Sequence, residues 1–253
     1  MKAKKSLGQH FLNDELVAEK IVEALTYQKE NEKIDCLEIG PGKGVLTKFL
    51  LKKNNYNLKV SEIDYEAIEF LKLNLPEVSN KIIKGDILKL DLNKYFKSPL
   101  LVIGNLPYNI TGPIFFKLLE NKEMIEQAVV MIQKEVAERI VSAPGSKVYG
   151  ILSVLLQTFF KTELLFTIGP ELFNPPPKVH SSVIKITKLE NQPDITDFKR
   201  YKNIVKAAFN QRRKTMRNAI KFYDTSMIDD DLLAKRAEQL SVKDYLYLYK
   251  NLK

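Results

Sequence analysis

The sequence contains one cysteine, Cys36, which excludes an internal disulfide and any Cys-rich zinc site. Histidine is almost as scarce. His10 and His180 are the only two, so imidazole-based metal chemistry is not expected, and no metal partner is assigned. Long hydrophobic runs are missing as well. The longest, Ile151–Phe160, is interrupted by Ser153, Gln157 and Thr158 and falls far short of the roughly 20 residues that span a bilayer. Met1–Lys5 carries the positive charge of a signal-peptide start, but the polar LGQHFLNDE follows where an apolar segment would be needed. A cytoplasmic protein with no membrane partner is therefore expected. Internal repeats and low-complexity segments are absent too.

What is present fits a folded chain: 253 residues, 45% hydrophobic and 28% charged. That length suits one large domain with a small appendage. Charge is unevenly distributed. Thr196–Lys253 holds 14 basic and 7 acidic residues, which accounts for +7 of the net +9. A near-neutral body with a basic end points to a polyanionic partner, most simply nucleic acid.

From Ile34 to Leu189, short apolar runs alternate with helical periodicity, the pattern of βαβ units on a doubly wound, mostly parallel sheet. Strands are predicted at Asp35–Ile39, Leu58–Ile63, Lys81–Ile83, Leu100–Ile103, Ala128–Ile132, Glu163–Ile168 and Ser182–Thr187. Helices are predicted at Val45–Lys53, Tyr65–Leu73, Pro113–Glu120, Lys134–Ser142 and Gly150–Phe159. The last two strands are joined by the Pro-rich Gly169–Val179 and are expected to form an antiparallel pair at one end of the sheet. Asn191–Thr196 reads as a linker, with Thr196 or Asp197 capping a following helix. The expected domains are thus residues 1–189, opening with a basic arm at 1–13, and a small helical domain at 190–253.

Leu37–Gly44 (LEIGPGKG) follows the first strand and opens a helix, so its glycines let a ligand approach the backbone at a helix N-terminus. Glu62, closing the next strand, lies at the roughly 20-residue spacing of a ribose-binding carboxylate. The loop is G-x-G-x-G rather than the dinucleotide G-x-G-x-x-G. Glu38 at its mouth would repel a pyrophosphate but suits the sulfonium and ammonium of S-adenosylmethionine. Gly40, Gly42, Glu38 and Glu62 are therefore candidate cofactor residues, against the alternative of a tight turn with no ligand. Asp86 ends the third strand at the same sheet edge and could accept a hydrogen bond from an adenine amino group; alone, it is equally a turn aspartate.

Asn105-Leu106-Pro107-Tyr108 ends the fourth strand. An exocyclic adenine amine is a poor nucleophile, because its lone pair is delocalised into the ring. The Asn105 side-chain oxygen and the Leu106 carbonyl could hold its two hydrogens while Pro107 stiffens the loop and Tyr108 stacks on an extruded base. Orientation and electrostatics then suffice for in-line methyl transfer. In isolation the motif is also a simple Pro-containing turn; beside the loop, Glu62 and Asp86, that reading weakens.

Together with Lys5–Leu12 (KSLGQHFL), Gln133–Val136, Phe173–Val179 (FNPPPKV) and Ala208–Thr215 (AFNQRRKT), these motifs make the chain resemble the KsgA/RsmA family of small-subunit ribosomal RNA adenine N6,N6-dimethyltransferases from end to end. The resemblance implies a Rossmann-like class I methyltransferase fold with a small C-terminal helical domain. It implies S-adenosyl-L-methionine as cofactor, and as substrate two adjacent adenosines in a hairpin near the 3′ end of small-subunit (16S) rRNA, dimethylated late in 30S maturation. The family's cofactor contacts fall on His10, Leu12, Gly40, Glu62, Asp86 and Asn105. Phe173 matches its aromatic facing Tyr108 across the target base. His10 stands where Asn is common, and Thr111-Gly112 where a Ser/Thr pair is usual. The macrolide-resistance methyltransferases, which act on large-subunit RNA, share fold and loop but typically read Asn-Ile-Pro-Tyr and interrupt the triple proline. Monomeric behaviour is a family-level expectation. An RNA-binding assembly factor and a nicotinamide oxidoreductase are the competing function classes, the latter disfavoured by the loop spacing.

Lys199–Lys221 contains nine basic residues and no acidic one. Arg212, Arg213, Lys214 and Arg217 are its densest cluster and the candidate phosphate contacts, with Lys2, Lys4 and Lys5 as possible additions. The competing reading is a solvated helix face.

Overall fold

The computed structural model describes residues 1–28, 32–97 and 99–252. Its elements in chain order begin with β1 (Phe11–Leu12), α1 (Glu15–Glu23), β2 (Ile34–Ile39), α2 (Thr47–Leu50), β3 (Tyr56–Glu62), α3 (Tyr65–Asn74), β4 (Ile82–Lys84), β5 (Leu100–Asn105), α4 (Thr111–Glu120) and β6 (Ile125–Gln133). They continue with α5 (Lys134–Val141), α6 (Ile151–Phe159), β7 (Phe160–Ile168), β8 (Phe173–Asn174), β9 (Ser181–Lys188), α7 (Phe198–Asn210), α8 (Met216–Ala219), α9 (Asp230–Ala234) and α10 (Val242–Asn251).

Seven strands form the main sheet in the order β4-β3-β2-β5-β6-β9-β7. The pairs β2–β3, β2–β5, β3–β4 and β5–β6 are parallel, and β9 runs antiparallel to β6 with Val130 opposite Ile184. Leu100–Ile103 of β5 and Ala128–Ile132 of β6 are apolar and fully buried because both faces of the sheet are covered there. Gly104 is required where β5 passes β2, since a Cβ there would lie 2.5 Å from the Ile39 carbonyl oxygen.

Three features depart from expectation. Residues 1–13 are not simply an arm. Phe11 and Leu12 are buried and pair with Asn174 and Phe173 in a two-stranded antiparallel ladder. Lys4 Nζ pairs with Asp64 at 2.6 Å and Glu66 at 3.0 Å, so Lys4 is tied down within its own domain. Helix α1 was not predicted, although its signals are plain: Asp14 accepts a hydrogen bond from Val17 N at 2.8 Å, and Ala18, Ile21 and Val22 form its buried stripe. The predicted helix Val45–Lys53 contracts to α2, because the turns around it close through shorter i→i−3 bonds such as Phe49 N to Leu46 O and Lys52 N to Phe49 O.

The chain divides into two compact units, residues 1–137 with 163–188 and residues 138–162 with 189–253. This corrects a single boundary after residue 189, because α6 packs with the C-terminal helices. Thr158 Oγ1 lies 2.8 Å from Tyr201 OH, and Phe159 meets Phe198 edge-on at 5.7 Å between centroids. In the same unit Asp197, rather than Thr196, caps α7 through Arg200 N at 2.9 Å. Arg200 donates to Tyr249 O and Leu252 O at the end of α10. Among the described residues, no helix is long and apolar enough to cross a membrane, and no group of three or more His, Cys, Asp or Glu side chains could hold a metal ion.

Candidate active site

The parallel register brings the carboxyl ends of β4, β3, β2 and β5 to one edge of the sheet, where Lys84 stands opposite Glu62 and Ser61 opposite Ile39. Beyond that edge lies a cleft of about 980 Å³, including its open mouth. Such an edge is where open α/β sheets bind ligands. Of the predicted residues, His10, Gly40, Gly42, Glu62, Asp86, Asn105, Leu106, Pro107 and Tyr108 line it. Gln9, Ile63 and Ile87 line it as well and were missed. For Gln9 a signal existed in its neighbour His10; the two isoleucines follow Glu62 and Asp86 directly.

Gly42 has φ +55°, and a Cβ there would come within 2.9 Å of the Phe11 ring, so glycine lets the loop close on the N-terminal strand. Its N–H donates to Glu62 Oε2 at 3.2 Å, while Ile63 N and Asp64 N donate to Oε1 at 2.9 Å each. Burial pushes the Glu62 carboxyl above its usual range, against these backbone bonds. Three bonds leave one acceptor direction open on Oε2. Asp86 is half-buried, and its Oδ1 accepts from Leu88 N at 3.0 Å.

Asn105 is held by the N-terminal segment. Its Nδ2 donates to the His10 carbonyl at 2.8 Å, which fixes the amide and turns Oδ1 into its remaining acceptor. Behind it, Leu106 N donates to Met131 O at 3.0 Å, and Pro107 O accepts from Ile110 N and Thr111 Oγ1 at 3.2 and 3.1 Å. Tyr108 follows in a 3₁₀ turn.

Three predicted residues stand elsewhere. Glu38 and Leu12 line a smaller hollow behind the loop, with Pro41, Val45 and Leu46. Glu38 is 1% exposed and accepts from Thr47 Oγ1 at 2.7 Å. Burial, helped by the Glu62 charge, pushes its carboxyl up to about 8 despite that bond. Side chains alternate along a strand, so Ile39 faces the cleft and Glu38 does not. Phe173 is 3% exposed, sits in the core cluster and pairs with Leu12. The ring stacked against Tyr108 is His10, at 5.5 Å and 27°.

In the second unit, two of the four candidate phosphate contacts are engaged within the fold. Arg212 donates to Lys147 O and lies 3.8 Å from Glu238, and Arg217 pairs with Asp230 at 2.6 Å. Arg213 and Lys214 are exposed.

The family described as ribosomal RNA adenine dimethylase matches residues 1–253. Ribosomal RNA small subunit methyltransferase A of Bacteroides fragilis is 49% identical over 252 residues, covering 98% of this chain and 91% of that protein. The protein of the same name from Cytophaga hutchinsonii is 49% identical over 250 residues, covering 98% and 96%. Among solved structures, a dimethyladenosine transferase from Plasmodium falciparum superposes with TM-score 0.78 at 27% identity, over 94% of this chain and 96% of that one. The 23S rRNA methyltransferase ErmE shares the fold, with TM-score 0.72 at 23% identity over 95% and 98% of the two chains.

Proposed function

The chain belongs to the ribosomal RNA adenine dimethylase family, and from that premise we propose that it dimethylates N6 of two adjacent adenosines in a hairpin near the 3′ end of small-subunit rRNA. The donor in this reading is S-adenosylmethionine, the acceptor is the immature 30S subunit late in maturation, and the enzyme acts as a cytoplasmic monomer. S-adenosylmethionine supplies, when bound, an electrophilic methyl group on a sulfonium that leaves as a neutral thioether.

The cleft fits that donor by the chemistry of its walls. Glu62 retains an acceptor direction for a ribose hydroxyl, Asp86 offers a carboxylate to an amino group, and Gly40 leaves open space, with only the Asn105 carbonyl oxygen 4.0 Å from where a Cβ would be. Glu38 lies behind the loop. There its buried carboxyl, protonated up to about pH 8, holds the Thr47 hydroxyl and offers the donor no full negative charge.

Asn105 carries the reading for the acceptor. With Nδ2 committed to His10 O, its Oδ1 accepts one N6 hydrogen while the Leu106 carbonyl accepts the other. The amine is thereby oriented and its lone pair drawn out of conjugation, with no base required for attack. The proton left on nitrogen after methyl transfer passes to water. Tyr108 offers the stacking face, and Arg213 and Lys214 hold RNA phosphates.

Methyl transfer from labelled cofactor to immature small subunits, isolated from cells lacking this modification, tests the proposal. Label at two adjacent small-subunit adenosines is expected, with loss of at least a hundredfold in rate for Asn105→Ala. Label in large-subunit RNA instead would overturn it.

A further inference from the structure

Tyr108 is half-buried in a 3₁₀ turn at the cleft rather than on a strand. Here its ring is held from two sides. On one, the His10 imidazole stacks against it, itself fixed by a 2.8 Å hydrogen bond between Nδ1 and the Pro175 carbonyl. On the other, the Tyr108 hydroxyl lies 2.6 Å from Ser181 Oγ. Ser181 is fully buried and opens β9 in register with Gln133 of β6, while Lys134 N donates to His180 O at 3.0 Å just before it. The serine is thus anchored in the main sheet, 73 residues away in sequence.

We infer that Ser181 is a positioning residue for methyl transfer, its hydroxyl tying the Tyr108 phenol to the sheet so that the ring presents a fixed face to the target base. The inference rests on Tyr108 being that stacking face. Removing the Ser181 oxygen leaves a half-buried phenol without its partner. The phenol is then satisfied only by turning toward water, and the ring leaves its place with it. Substrate can still bind, but fewer bound complexes have the amine aligned.

The neighbouring residue supplies a control. Ser182 is equally buried on the same strand, but its hydroxyl bonds to Thr167 Oγ1 at 3.0 Å, away from the cleft. Steady-state methylation of small subunits by Ser181→Ala should show kcat lower by about tenfold with cofactor KM unchanged, while Ser182→Ala keeps the wild-type kcat. Tyr108→Phe removes the same bond from its other end and should lower kcat similarly, including where Ser181→Ala folds poorly. The double variant should be no slower than the slower single one. Unchanged kcat in Ser181→Ala, equal losses in Ser182→Ala, or losses that multiply in the double variant would each overturn the inference. Wild-type enzyme that fails to methylate small subunits would instead overturn the proposed function.

Discussion

At the scale of single residues, the strand ends were the most legible part of the site. Glu62 and Asn105 close β3 and β5 and Asp86 follows β4 by two residues, and the parallel register carries all three to one edge. Glu38 lies behind the glycine loop rather than in the cleft, as the alternation of side chains across β2 dictates, in a hollow that shares Gly40, Gly42 and Asn105 with it. Its surroundings make a prediction. The buried carboxyl stays protonated in the folded chain up to about pH 8, whereas in the unfolded chain it ionises near the ordinary value of about 4.3. Between those values the folded state holds a proton the unfolded state has released, so this group lowers stability as pH rises and ceases to do so above about 8. Glu38→Gln removes the ionisation while retaining an acceptor for Thr47. Urea unfolding at a series of pH values should find variant and wild type alike at pH 4 and the variant more stable at pH 9, with the gap opening between. Parallel profiles would show that Glu38 is already ionised in the folded protein.

At the scale of elements, β2 through β6 followed from apolar runs and punctuation, whereas the β1–β8 ladder did not. Two-residue strands carry no periodicity, and the sequence between their partners exceeds 150 residues, so nothing local announces the pairing. That ladder changes what Phe173 does in this conformation. Its side chain is packed in the core beside Leu12 rather than standing opposite Tyr108. Phe173→Ala should therefore act first on stability, costing about 3 kcal/mol as a buried aromatic truncation does. Chemical denaturation measures this directly. A fully stable Phe173→Ala enzyme with a large loss of kcat would return Phe173 to the face of the target base.

At the scale of the whole molecule, the linker at residues 191–196 was visible but the discontinuous make-up of the second unit was not. Alpha-helical spacing in α6 says that one face is buried; it does not say against which neighbour. Counted over residues 138–162 and 189–253, that unit holds 17 basic and 10 acidic residues, so it keeps +7 of the net +9. The charge is therefore a property of the unit, but not every cation in it is available. Arg212 is bonded to Lys147 and lies near Glu238, and the exposed Arg217 is paired with the exposed Asp230, while Arg213 and Lys214 are exposed as well. Each phosphate neutralised by a protein cation contributes about 0.7 to 0.9 to the slope of log affinity against log salt. Replacing Arg213 and Lys214 together by Gln should flatten that slope by about 1.5, measured as binding to small-subunit rRNA between low and physiological salt. Replacing Arg212 and Arg217 should leave the slope nearly intact and lower the unfolding midpoint instead. The opposite assignment, with the slope following Arg212 and Arg217, would mean that RNA displaces their internal partners. An unaltered slope in both double variants would make the basic run a solvated face and move the RNA contact elsewhere.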